Sequence, residues 1–339
     1  MTIDLTQRWQ VLNADCLDVL RELPDGCADL ILTDPPFFRV KDEEWDRQWS
    51  SEESFLEWLG SVLIACKRVL APNGSIFVFT SAEMNTRIEV MMRRWFDVLN
   101  NIRWIKDAGW HKKAERASLR QWLTPWEGIV FAGQRGDQYA EAERSLHKAV
   151  YAPIGRAVQR KRETAGLQRW QVDEACSPSK KPTGLCYRWE EGACLPTEEQ
   201  YAALCRLVGD RREYEQLRRE YEQLRRPFTL ADSDDASDCW HFQTVPPKPD
   251  KHPCEKPVRM LKHMIEATTR PGARVLDPFC GSGSTGVACA QTGRKFVGIE
   301  KDQEWATASQ RRIGEAANTL WTPPAPREPE PTLNQTPAL

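Results

Sequence analysis

The feature that most restricts the fold is a strand running into a glycine-rich turn and then a helix: Val275-Leu276-Asp277-Pro278-Phe279-Cys280-Gly281-Ser282-Gly283-Ser284-Thr285-Gly286. Gly281, Gly283 and Gly286 have GxGxxG spacing in the strand–turn–helix setting that gives the spacing meaning. Glycines let the backbone turn tightly and approach a ligand, and the helix N-terminus offers unpaired N–H groups. The next strand, Lys295–Glu300, ends on an acid 23 residues after Asp277, where a carboxylate can hydrogen-bond a ribose diol. These residues imply a nucleoside cofactor. A dinucleotide would bring its pyrophosphate close to the Asp277 carboxylate. S-adenosylmethionine has no phosphate and carries a sulfonium and an ammonium, which suit the acid. Charge favours the second, and on these residues alone both stay open.

The rest of the chain predicts an α/β sheet around this turn. Strands are expected at Val11–Asp15, Ala28–Asp34, Ser75–Thr80, Asn101–Lys106 and Glu127–Ala132. Phe55, Leu59, Val62, Leu63, Cys66 and Val69 recur at helical spacing, and that helix should stop at the turn signal Ala71-Pro72-Asn73-Gly74. Alternation resumes near Pro257, with a helix to Thr268, a strand at Ala273–Asp277, and a last helix ending near Leu320. Such alternation predicts a largely parallel sheet. Between Asp137 and Cys239 there is little strand signal and short basic helices dominate. The expected plan is a catalytic half at 1–136, a helical insert at 137–239, a cofactor-binding half at 240–320 and a disordered Pro-rich tail at 321–339. One heptad, REYEQLR, occurs at Arg212–Arg218 and again at Arg219–Arg225. Its Tyr214, Leu217, Tyr221 and Leu224 share a helix face that would pack on the insert or form a homodimer seam.

A second motif, Asp34-Pro35-Pro36-Phe37, follows a predicted strand, where open α/β sheets place their ligands. The prolines freeze the backbone and have no N–H, so nearby carbonyls remain acceptors. Asp34 and a Pro35 carbonyl could accept both hydrogens of an amino group, while Phe37 offers a flat face to a base. Together, the two motifs resemble an amino-group DNA methyltransferase of the permuted type, in which Asp-Pro-Pro-Tyr/Phe precedes the glycine turn. The resemblance covers roughly residues 9–133 and 240–318. It implies a circularly permuted, Rossmann-like S-adenosylmethionine-dependent fold and transfer of a methyl group to an exocyclic amine of a flipped base in double-stranded DNA. Asn13-Ala14-Asp15-Cys16 matches the family's acidic segment, which implies that Asp15, with Cys16, lies at the cofactor's adenine. His252-Pro253-Cys254-Glu255-Lys256-Pro257 matches a motif that borders the methionine end, which brings in Lys256. Asp277, Phe279, Gly281, Gly283 and Glu300 complete the implied cofactor set. Asp at the first motif position goes more often with adenine N6 than with cytosine N4, whereas Phe37 in place of Tyr weakens any base assignment; adenine is expected, with cytosine N4 as the alternative.

The insert resembles a phage-repressor helix-turn-helix, through Ile154–Cys176 and then Trp189-Glu190-Glu191-Gly192 with Pro196. Its second connection, Cys176–Gly184, is longer than usual, so standard docking is not assured. Here composition matters. The whole chain has 47 Lys+Arg against 49 Asp+Glu, a net charge of -2 that by itself gives no sign of a polyanionic partner. Between Pro153 and Arg188, however, eight basic residues face three acidic ones. Arg160, Lys161, Arg162, Lys180, Lys181 and Arg188 are therefore the DNA-contact candidates. Eleven cysteines without a CxxC, including Cys176, Cys186, Cys194 and Cys205, give no zinc spacing, so no metal is expected. With no secretory signal and no membrane-length apolar run, a reduced, cytoplasmic protein is expected. A nicotinamide-dependent oxidoreductase would account for the glycine turn alone, and a non-enzymatic repressor for the insert alone.

Overall fold

The computed structural model describes residues 3–38, 40, 47–106, 115–134, 155–192, 196–209, 226–231, 235–246 and 255–320. Eight strands form one sheet: β1 Trp9–Asn13, β2 Ala28–Thr33, β3 Leu70–Thr80, β4 Asp97–Ile105, β5 Trp126–Gly133, β6 Cys239–Trp240, β7 Arg274–Asp277 and β8 Lys295–Glu300. Their order is β1-β8-β7-β2-β3-β5-β4-β6. Most neighbours are parallel, as expected, but β5 runs antiparallel to both β3 and β4. β7 pairs directly with β2, Leu30 opposite Val275 and Ile31 opposite Leu276. Segments some 245 residues apart thus deliver their carboxyl ends side by side. Arg274 fastens this junction: its guanidinium donates to the Cys27 and Leu5 carbonyls, and its N–H to Asp29.

The helices of the sheet are α1 Cys16–Glu22, α2 Glu52–Val69 and α3 Asn85–Met92. Residues 155–164 form α4, and α5 Arg169–Cys176, α6 Leu185–Glu190 and α7 Glu198–Val208 follow. The last three are α8 Val258–Thr268, α9 Ser284–Thr292 and α10 Gln303–Leu320. α2 shows why such a segment is helical. Ser51 and Ser54 close a capping box, acids fill the first turn, Lys67 and Arg68 the last, and the predicted apolar face is buried. The expected turn after it is absent. Leu70 enters β3 directly, a register shift near Ala28 absorbs Pro72 and Gly74, and the Gln134 amide donates to the Lys67 and Leu70 carbonyls.

One apolar layer lies under α1, α2 and α3, with Phe55, Leu59 and Phe96 fully buried. Another lies under α8, α9 and α10, with Phe79, Met264 and Phe296. Sheet faces covered by helices on both sides explain the near-continuous apolar runs of β2 and β3. Two of the motif glycines serve this packing. A Cβ on Gly286 would come within 2.3 Å of Ile313 and 2.8 Å of Phe296; one on Gly283, at φ +78°, would meet Ser309 at 2.9 Å. Gly283 is not among the residues lining the cavity and packs closely on Ser309.

Helices α4 to α7 have a small core of their own, centred on Trp189 with Val158, Val172, Cys186 and Leu204. The long connection between α5 and α6 is tied down by Asp173. Its carboxylate accepts the N–H groups of Thr183, Gly184 and Cys186 at 2.7–3.1 Å, capping α6 from the preceding helix. The duplicated heptad, Cys194, the His252–Cys254 part of its motif and the Pro-rich tail lie outside the described residues.

Candidate active site

The parallel pairing of β2 with β7 puts Asp34 and Asp277 at the same end of the sheet, and a cavity of about 680 Å³ opens there. Asp15, Cys16, Asp34, Pro35, Pro36, Phe37, Lys256, Asp277, Phe279, Gly281 and Glu300 all line it, so the structure gathers every expected catalytic and cofactor residue except Gly283. Trp58 and Trp305 also line it, and Trp58 packs on Phe279 with ring centroids 5.6 Å apart.

The floor is set by short polar contacts. Asp277 is 3% exposed; Thr285 donates its hydroxyl to one oxygen at 2.7 Å and the Phe279 N–H to the other at 3.1 Å. Burial, helped by Asp34 and Glu300, nevertheless pushes its carboxyl up to about 7. Glu300 accepts the Gly281 N–H at 2.7 Å and the Asp302 N–H at 2.9 Å, which shapes the glycine turn, and burial raises its carboxyl too. Asp15 caps α1 through the Leu17 N–H. Cys16 is buried, its thiol pushed up to about 12 by burial and then by Asp15, so it serves as an inert apolar wall.

Asp34 lies in a chain of buried and half-buried charges that sequence reasoning missed. Lys256 donates to Asp34 Oδ2 and sits 3.6 Å from Glu127 Oε2, and Lys106 pairs with Glu127 Oε1. Glu127 and Lys106 come from β5 and the end of β4, with no motif to announce them; only the antiparallel register brings them here. Burial opposes the Glu127 charge, but Lys256 and Lys106 outweigh it and hold its carboxyl below the usual range. Burial likewise pushes Asp34 up to about 6, with Lys256 opposing and Glu127 reinforcing. The other oxygen, Asp34 Oδ1, is buried without a hydrogen-bond partner. The Lys256 ammonium lies 5.4 Å from the Phe37 ring and 4.9 Å from Phe79. Lys256 is thus a partner of the Asp34 carboxylate, although the sequence assigned it to the cofactor alone.

On helices α4 to α6 and the connections between them, Arg160, Lys180, Lys181 and Arg188 are exposed and Lys161 is half-buried. Trp170 and Tyr187 are also exposed there, and Arg169 lies over the Tyr187 ring at 5.5 Å. Arg162 departs from expectation. It is 9% exposed, ion-paired with Glu190 and donating to the Leu167 carbonyl at 2.9 Å. Glu190 also receives Arg169 at 2.6 Å. Arg162 therefore holds α4 against α6 from inside, and its guanidinium is already committed.

The chain was compared with known proteins. The DNA methylase family of N6- and N4-amino methyltransferases matches residues 28–311. The chain belongs to this DNA methyltransferase family. The methyltransferase is 26% identical over 309 residues to "DNA adenine methyltransferase YhdJ" of Escherichia coli K12, covering 91% of this chain and 83% of that one. It is 27% identical over 326 residues to "Type II methyltransferase M.Cfr9I" of Citrobacter freundii, covering 91% and 89%. Among solved structures, the PvuII cytosine-N4-specific DNA methyltransferase shares the fold at a TM-score of 0.53, with 14% identity and 92% of each chain covered. Family membership overturns the oxidoreductase and repressor readings and makes S-adenosylmethionine the cofactor. The cavity fits that cofactor: five carboxylates, Asp15, Asp34, Asp277, Glu300 and Asp302, face two lysines, Lys256 and Lys301. An acid-lined wall suits a sulfonium and an ammonium and would repel a pyrophosphate. Among the described residues no cluster of metal-ligating side chains occurs and no helix is long and apolar enough to cross a membrane.

Proposed function

We propose that the enzyme methylates the exocyclic N6 of adenine in double-stranded DNA, at a specific sequence, after flipping the base into the cavity. The observation that carries this reading is the Asp34 carboxylate on the cavity wall at the head of the Asp-Pro-Pro-Phe turn, one oxygen held by Lys256 and the other without a hydrogen-bond partner. S-adenosylmethionine supplies a methyl group on an electron-poor sulfonium. The residues of this chain do the rest. The Asp34 carboxylate and the Pro35 carbonyl accept the two amino hydrogens, which turns the nitrogen lone pair toward the methyl donor. Pro36 keeps the turn rigid, and Phe37 stacks on the extracted base. As the new N–C bond forms, the amino nitrogen sheds one proton, and Asp34 is the carboxylate placed to receive it. Asp277 meets the cationic methionine end, Phe279 and Gly281 flank the cofactor, Glu300 takes the ribose hydroxyls and Asp15 the adenine amino group.

Adenine is supported by Asp34 at the first motif position and by the name of the Escherichia coli relative. The catalytic half ahead of the glycine turn, in chain order, supports the permuted arrangement. We further read residues 137–239 as the target-recognition insert, with Arg160, Lys161, Lys180, Lys181 and Arg188 on the DNA; its separate Trp189 core supports this division. The setting of such an enzyme is the cytoplasm, with the DNA.

The decisive experiment is to incubate the protein with labelled cofactor and genomic DNA, digest, and identify the methylated nucleoside. N6-methyladenine is expected; N4-methylcytosine would replace the base assignment, and no label in DNA would overturn the reading. Asp34→Ala should keep cofactor and DNA binding and lose methylation; normal methylation by that variant would refute the active-site assignment.

A further inference from the structure

The charge chain behind Asp34 has a use beyond the roles above. We infer that Lys256, held by Glu127 and backed by Lys106, is a positioning residue that grips one oxygen of Asp34 and so fixes the orientation and charge of the carboxylate that accepts from the substrate amine. This rests on the reading of Asp34 as the group that binds the amine.

The geometry gives the reason. A carboxylate at the end of a strand can rotate about its own side chain, and a rotating acceptor aims no lone pair. The Lys256 ammonium binds one oxygen of Asp34, while the prolines fix the backbone on the other side. Lys256 cannot drift, because Glu127 lies 3.6 Å away and Glu127 is itself held by Lys106. Lys256 is also nearly enclosed, 9% exposed at its side chain, over the Phe37 and Phe79 rings. Every charged group facing Asp34 enters the balance. Lys256 and Lys106 favour its ionised form, whereas burial, Glu127 and the neighbouring Asp277 oppose it. An un-ionised Asp34 would lose acceptor capacity, so the lysine sets both the direction and the charge of this group.

The test uses the full chain and a duplex carrying the sequence mapped from methylated genomic DNA. Lys256→Met should lower kcat at least about 100-fold near neutral pH, with KM for DNA and Kd for cofactor changed less than about threefold. Its activity should rise at alkaline pH, because loss of the lysine shifts the acid limb of the profile upward. Lys256→Arg should restore a profile close to wild type. Glu127→Gln, which loosens Lys256 without removing it, should give a smaller kcat loss and the same KM. If Lys256→Met does not fold, judged by circular dichroism and thermal unfolding, Lys256→Arg and Glu127→Gln carry the test. A Lys256→Met enzyme that loses cofactor affinity but keeps its kcat and acid limb would overturn the inference and return Lys256 to the cofactor. An active Asp34→Asn enzyme would instead remove the reading on which the inference rests. An inactive Asp34→Asn beside normal kcat and pH profiles for all the Lys256 and Glu127 variants would sink this inference alone.

Discussion

Replacing Asp277 by Asn deletes a buried charge while keeping the side chain's size. Asp277 is 3% exposed, and burial, then Asp34 and Glu300, push its carboxyl up to about 7 despite the hydrogen bonds from Thr285 and Phe279. In the unfolded chain the same group titrates at 3.8. A folded pKa above the unfolded one means that the native protein holds a proton which the unfolded chain has released. Stability is therefore fully present below the unfolded value, falls as pH rises through the window from 3.8 to about 7, and is flat above it. At about 1.4 kcal/mol per pH unit, a rise of roughly three units amounts to a loss on the order of 4 kcal/mol by about pH 8. Asn does not titrate and escapes that loss. It keeps one acceptor for the Phe279 N–H, and the Thr285 hydroxyl can turn from donor to acceptor, an exchange costing about 1 kcal/mol. The cofactor-free variant should therefore be about 3 kcal/mol more stable than wild type near pH 8, and the difference should vanish or reverse by about pH 4. Urea unfolding of both proteins across this range reads the effect directly as a shift in midpoint at constant slope. Cofactor affinity of the variant should fall at the same time. A variant less stable than wild type at alkaline pH, or a wild-type protein with no pH slope, would refute the argument that this cavity stores uncompensated charge for a cationic ligand.

Three further outcomes follow. Glu190→Gln leaves Arg162 buried opposite a neutral amide, so the insert should lose about 3 kcal/mol, seen as an earlier thermal transition. Lys180→Ala with Lys181→Ala should weaken DNA binding and reduce the slope of log affinity against log salt by about 2, measured by titration at several salt concentrations; an unchanged slope counts against contacts there. Gly286→Ala forces a methyl group into Ile313 and Phe296, which should cost about 1–3 kcal/mol in thermal or urea unfolding.

Much of the fold was legible because the two motifs carry their own local structure. A run such as Leu30-Ile31-Leu32 has no reason to be apolar throughout unless both faces are covered, and the spacing of Phe55 to Val69 fits only a helix. Sequence reasoning fell short where a local signal had a tertiary use. Pro72-Asn73-Gly74 looks like a turn but is drawn into β3, taken up as an irregularity between the Ala28–Leu70 and Leu30–Ser75 pairs with β2. Gly283 completes a ligand-binding spacing, and its missing side chain makes room for Ser309. Arg162 sits in a basic run, and its depth inside the insert was invisible until Glu190 came into contact from 28 residues away.

By itself, the sequence determined the chemistry on offer: a glycine turn before a helix, an acid at each of three strand ends, and an aspartate locked between a strand and two prolines. These are short-range matters, since backbone restriction and charge act over a few residues. The tertiary structure alone decided which of these groups share a cavity and what stands behind them. β7 lies against β2, so Asp34 helps raise Asp277; β5 runs antiparallel, so Glu127 meets Lys256. Burial then turned a row of ordinary carboxylates into a site with unpaired acceptors, because desolvation depends on what the rest of the chain places around a group.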